Sequence, residues 1–191
     1  MAIKRHSFEE YDAGCMYHPK PGCVHPSKKG RFISSLSSRS PDLHAPALDI
    51  DFPTTIERDN ERGKTRITIV GPKPTGAALR MVYLSMLQLR LMDDQEVPRI
   101  LPEPTSDRLA LPPLVLSVHA KAHPSSTSGH FHLFLEKEMP WSHYEGLLIA
   151  LRDAEVIGQD FAAMCLKWCV SFLLKPEYKK SDFKLKFTAP A

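Results

Sequence analysis

The chain has 191 residues, of which 42% are hydrophobic, so it can form one domain with a real core plus some irregular sequence. Its formal charge of +3 is mildly basic and does not by itself imply a nucleic-acid partner. No stretch approaches the ~18 uninterrupted apolar residues of a membrane-spanning helix, and the opening MAIKRHSFEEYD lacks the apolar core of a signal peptide. No membrane partner is expected, and a cytoplasmic location is. There the four cysteines are more often thiols or metal ligands than disulfides.

Residues 1–46 are rich in Lys, Arg, His, Ser, Pro and Gly, interrupted only by the apolar run FISSL. The composition reads as an irregular basic arm, ordered only if something ties it down. An α+β domain is expected over 47–178, followed by a basic tail over 179–191. ALDIDFP alternates apolar and acidic residues as a short strand does, RDNERGK reads as a charged turn, and RITIVG is a second strand-like run. After GPKP, Thr75 is placed to cap a helix whose apolar face carries Leu79, Val82, Tyr83, Met86, Leu87 and Leu91. A Pro-rich connection over 93–113 follows.

LVLSVHAKAH (114–123) and HFHLFLEKE (130–138) read as two strands joined through PSSTSG. Ser142 and Glu145 fit a capping box ahead of a helix that carries Tyr144, Leu147, Leu148 and Leu151. DFAAMCLKW adds a short helical piece, CVSFLLKPEY a last strand, and Cys165 and Cys169 read as small buried residues. From Arg66 onward the order is strand, helix, strand, strand, helix, strand. That order predicts a ferredoxin-like, or RRM-like, antiparallel sheet with two helices on one face and the other face left open.

On this reading Leu114, Leu116, Val118, Ala120 and Ala122 face the helices, and Val115, Ser117, His119, Lys121 and His123 face away. His130, His132 and Phe134 share that outward face. A loop over 124–129 would set His123 opposite His130 and Lys121 opposite His132. The outward histidines are either the polar side of a solvated sheet or a site. Clustered imidazoles suit metal, phosphate or proton transfer near neutral pH.

LDIDF, with Asp49 and Asp51 in a strand, followed later by SSTSGHFHLFL, resembles the first two motifs of the archaeo-eukaryotic primase superfamily. That resemblance implies an RRM-like sheet, Mg²⁺ or Mn²⁺ held by Asp49 and Asp51, and His132 or His130 with Ser128 meeting nucleotide phosphate. PSSTSGHFHL followed by a P-W-x-x-Y helix also resembles small proteins of unassigned function from actinobacterial viruses. It implies a phage product acting in the cytoplasm of a bacterial host.

A second cluster lies in the arm. Cys15, His18, Cys23 and His25 form C-x₂-H-x₄-C-x-H, with PKPG as a turn between the pairs. Two thiolates and two imidazoles are a tetrahedral zinc set, and zinc there would order an arm without a core. Incidental Cys and His in a flexible arm is the other reading.

The function expected from the sequence is nucleic-acid or nucleotide binding on the open sheet face. Asp49, Asp51, His130 and His132 are the candidate catalytic residues, and His119, Lys121, His123 and Ser128 the candidate binding residues. The alternatives are a metal-dependent nucleotidyl-transfer or phosphoester enzyme, and a noncatalytic phage accessory or structural protein whose arm folds on a protein partner. The sequence leaves open whether the chain is catalytic.

Overall fold

The structure is a computed structural model and describes residues 5–8, 32–37, 39–40, 42–125 and 127–174. In chain order the elements are β1 (Arg5–Phe8), β2 (Phe32–Ser37), β3 (Leu43–His44), β4 (Ala47–Ile50), β5 (Thr54–Asp59), β6 (Lys64–Ile69), α1 (Gly76–Gln88), β7 (Leu114–Leu116), β8 (Ala120–Pro124), β9 (Phe131–Leu135), β10 (Met139–Pro140), α2 (Trp141–Asp153), α3 (Gln159–Trp168) and β11 (Phe172–Leu174). The class is α+β, as expected.

The strands pair antiparallel in three sheets rather than in the one four-stranded sheet expected. β4, β9 and β8 form the central sheet, in that spatial order; β5, β6 and β7 form a second; β1, β2, β3 and β10 form a third, with β11 also on β2. The run 114–123 is therefore not one strand. Its first part pairs with β6 and its second with β9. Between them the Ser117 N–H donates to the Leu91 carbonyl at 2.8 Å, which takes the backbone out of either ladder. β5 falls on TTIERD, part of which reads as a turn because most of its residues are polar. Its ladder with β6 closes at Gly63, whose φ of +64° favours glycine.

Within the basic arm, FISSL forms most of β2, beside the described strands β1 and β3. As β2 it pairs with β11 on one side and reaches β3 through Leu36 and His44, and Ser34, Ser35 and Ser37 are buried. Pairing, not composition, orders this stretch.

One apolar core joins the central and second sheets to the helices. Leu48, Ile50, Leu133 and Leu135 meet Leu79, Val82, Tyr83 and Met86 of α1 and Tyr144, Leu147, Leu148 and Leu151 of α2. Thr75 caps α1 as expected, its hydroxyl accepting from the Ala78 N–H at 3.3 Å. The capping box at Ser142 does not form. Pairing of Met139 and Pro140 with β3 keeps the chain extended through Pro140, so α2 starts at Trp141 and Ser142 lies inside its first turn. The Pro-rich connection is tied along the start of α1, where the Gly76 N–H donates to the Ser106 carbonyl and the Leu109 N–H to that of Pro74. A Cβ on Gly76 would lie 2.0 Å from the Glu103 carbonyl oxygen, so only glycine allows this approach. Cys165 is buried as expected, but Cys169 is exposed: it takes a left-handed conformation where α3 ends, which turns it out of the helix's buried face.

A buried polar cluster joins the third sheet to the core. The Tyr144 hydroxyl donates to the Ala47 carbonyl at 2.9 Å, accepts from the Ala47 N–H at 3.2 Å, and lies 2.7 Å from the Ser171 hydroxyl. The Ser171 N–H donates to the Ser35 hydroxyl oxygen at 3.1 Å, and Ser35 Oγ lies 3.1 Å from His44 Nδ1. Each buried polar group thus meets another rather than water. Replacing Tyr144 with Phe keeps the ring and removes its three hydrogen-bonding contacts. It is expected to lower unfolding free energy by about 2 kcal/mol, read by urea denaturation.

Burial lowers the His44 pKa from 6.5 to about 4, with Asp42 acting weakly the other way. The unfolded chain therefore takes up a proton at higher pH than the folded one. Stability from the neutral ring is fully present above pH 6.5 and is lost as pH falls toward about 4. The loss expected is roughly 3 kcal/mol. His44→Asn, which keeps a polar atom near Nδ1 but does not titrate, should flatten this part of the stability–pH curve.

Candidate functional site: paired aspartate and histidine on the central sheet

Strand alternation gives the central sheet two unlike faces. Leu48, Ile50, Leu133 and Leu135 enter the core. Ala47, Asp49, Lys121, His123, His132 and Phe134 share the opposite face. The ladder aligns Asp49 with His132 and His132 with His123, so an acid and two imidazoles cross three strands in one row. One step further along the same face, Asp51 stands beside His130.

The sequence alone could not show whether the acidic pair reaches the histidines, and the register brings them together. The two pairs differ in depth. His130 Nδ1 lies 2.7 Å from Asp51 Oδ1, and the two side chains are 32% and 40% exposed. His132 Nε2 lies 3.7 Å from Asp49 Oδ1, beyond hydrogen-bond length, with exposures of only 6% and 19%. The inner pair is closed off from solutes, while the outer pair can meet one.

The second face is not open, contrary to expectation. Ala47 and Phe134 are buried with Leu173 of β11, and Ile33 of β2 and Phe161 of α3 pack against them. The cover follows from Phe134 and Ala47 themselves, which are apolar and lie on that face. What remains accessible is its rim: Asp51, His130, the 127–129 turn and part of His123.

α3 also shapes the outer pair. A Cβ on Gly158, the residue that precedes the helix, would lie 2.9 Å from Asp51 Oδ2. Glycine here leaves the carboxylate its room. Deeper in, burial and, secondarily, the charge of Asp49 push the Cys165 thiol well above its usual range. Cys165 is therefore a thiol and not a nucleophile, although Cys, His and Asp all occur in this region.

The hairpin register is two residues away from the one expected. His123 faces His132, Lys121 faces Phe134, and Pro124 faces Phe131. The Ser125 N–H also donates to the His130 carbonyl at 2.9 Å, so β8 runs further and the turn is tighter, with Gly129 at φ +81°. A slip of two keeps every side chain on its face, which is why the outward set is the expected one. Lys121 is engaged with Glu136 at 2.5 Å. That hydrogen bond is the main reason the Glu136 carboxyl sits below its ordinary range. Lys121 is thus a partnered cation, with its side chain still 48% exposed. His119 lies exposed at the bend between β7 and β8, and Ser128 is exposed in the turn. Glu136 and Gly158 escaped the sequence reading. Glu136 continues the parity of His132 and Phe134 and could have been found, whereas nothing local marks Gly158.

Cys15, His18, Cys23 and His25 lie outside the described residues. Among the described residues no three or more of His, Cys, Asp and Glu gather as a metal ion would require. Asp49 and Asp51 each face a separate histidine. No helix among the described residues is long and apolar enough to cross a membrane. Comparison with protein-family models, with curated proteins and with solved structures finds no match.

Gly158→Ala tests the outer pair. The backbone there, φ −62° and ψ 145°, admits alanine, so the fold should persist while Asp51 is displaced. The expected result is weakening of the His130 Nδ1 proton signal in NMR spectra, with the His132 signals little changed.

Proposed function

We propose that this protein binds nucleic acid, through its phosphates, at the rim of the central sheet formed by His130, His123 and the 127–129 turn. The observation that carries this reading is the Asp51–His130 pair. With the Asp51 carboxylate accepting from Nδ1, the ring is held in one orientation and Nε2 is the nitrogen turned to chemistry. When the ring is protonated it donates from that atom to a phosphate oxygen; when it is neutral the same atom can accept from a sugar hydroxyl. Ser128 and the other hydroxyl and backbone N–H groups of the turn add neutral donors beside it.

The reading is supported if the core is taken as ferredoxin-like, with β4 as its first strand in place of the strand beginning near Arg66. β4, α1, β8, β9 and α2 follow the chain order of a split βαβ unit, and the spatial order β4-β9-β8 is the one such a unit forms. The β5–β6 hairpin is then an insertion after the first strand. Binding differs from that of a base-stacking sheet. Phe134 is only 4% exposed, so no aromatic platform is offered and contact falls on the backbone of the nucleic acid.

The test is fluorescence anisotropy with labelled single-stranded RNA and DNA across a salt series. Binding should weaken steadily with salt, with little dependence on base sequence. His123→Ala combined with His130→Ala should weaken it at least about tenfold, or ~1.4 kcal/mol. Absence of binding at low salt, or binding indifferent to the double substitution, overturns the proposal.

A further inference from the structure

We infer that His130 and His123 form a metal-independent proton-transfer pair that cleaves RNA at its 2′-hydroxyl. This rests on the nucleic-acid reading of the same rim and adds to it a substrate class and a reaction. The two residues are diagonal neighbours on one face. His123 faces His132, and the next ladder position on that face joins Ser125 to His130. Diagonal neighbours in an antiparallel pair stand roughly 7–8 Å apart at Cα, a span that lets two imidazoles address opposite sides of one phosphodiester.

The two rings are held differently, as the two halves of the reaction require. His130 is anchored through Nδ1 to Asp51 at 2.7 Å, which leaves the lone pair of the neutral ring on Nε2. His123 rests edge-on against Phe134, ring centroids 5.7 Å apart, and among the described residues it forms no ion pair with a carboxylate. It is the ring placed to give a proton away. His132 plays no direct part, because it is buried behind them.

In the step, neutral His130 Nε2 removes the proton from the ribose 2′-hydroxyl. The 2′-oxygen bonds to phosphorus, the bond from phosphorus to the 5′-oxygen breaks, and that oxygen takes a proton from the His123 imidazolium. The products are a 2′,3′-cyclic phosphate and a 5′-hydroxyl. No metal, oxidant or water is consumed, and the two rings exchange protons with solvent to restore the starting state. DNA lacks the attacking oxygen and is bound but not cut.

The experiment uses the full chain in excess EDTA with a labelled DNA strand that contains a single ribonucleotide, followed in parallel by anisotropy. Cleavage is expected only 3′ of the ribonucleotide, leaving a cyclic phosphate end. His130→Ala and His123→Ala should each slow it by about 10²-fold or more, as loss of a general base or acid does. His130→Gln, which keeps a polar side chain, guards against a folding defect and should be equally slow. Binding without cleavage in EDTA overturns this inference and leaves the binding proposal standing. Cleavage that survives in both histidine variants also overturns it. Neither binding nor cleavage overturns both.

Discussion

The Tyr144 hydroxyl grips both polar groups of Ala47, and the position of the central sheet follows from that contact. Ala47 begins β4, and its N–H and carbonyl both meet the phenol oxygen of α2. A strand of four residues has little pairing of its own to fix its place. Held at its start by α2 and along its length by β9, it delivers Asp49 two residues later to the second face of the sheet. The same hydroxyl touches Ser171, which in turn is bonded to Ser35, so the strands from both ends of the described chain depend on the phenol.

The burial gradient across the array comes from this arrangement. β11 and β2 cover the face where it lies nearest Ala47 and Phe134, and α3 covers the next level through Phe161 and Cys165. Cover ends at Gly158, where the helix begins without a side chain. Asp49 and His132 lie under the cover and Asp51 and His130 at its edge, although the two pairs are built from the same residue types at the same spacing. Depth alone separates an inner pair shut off from solutes from an outer pair that can reach one.

Much of this was legible in the sequence, because strand parity is robust. H-x-H and D-x-D each place their residues on one face whatever the register, and apolar Leu48, Ile50, Leu133 and Leu135 decide which face is inward. Most α1 and α2 core residues were equally plain, since their spacing admits one buried stripe, although Leu87 is only half-buried and Leu91 lies beyond the end of α1. The register was not legible, because PSSTSG can close at more than one position and only the β8–β9 pairing, extended by the Ser125–His130 bond, selects among them. The division into three sheets was hidden too. It depends on Ser117 turning to Leu91, a contact between residues 26 positions apart in sequence, and no local pattern reports it. β5 was missed because a solvated edge strand need not alternate in hydrophobicity, and its pairing with β6 supplies what its composition lacks.

The cover on the second face ran against the sequence expectation of an open sheet. Phe134 lies between Ala47 and Lys121 in the ladder, and an aromatic ring on that row either stacks a ligand or is buried by the chain itself. β11 and α3 take the second course. With the ring buried, the sheet has no surface on which bases can stack, and recognition moves to the rim, where the groups within reach are imidazole, carboxylate, hydroxyl and backbone N–H. Those groups address phosphate and ribose oxygens. On the proposed reading, the packing that removes Phe134 from solvent is what would turn the rim toward the sugar–phosphate chain and away from base sequence.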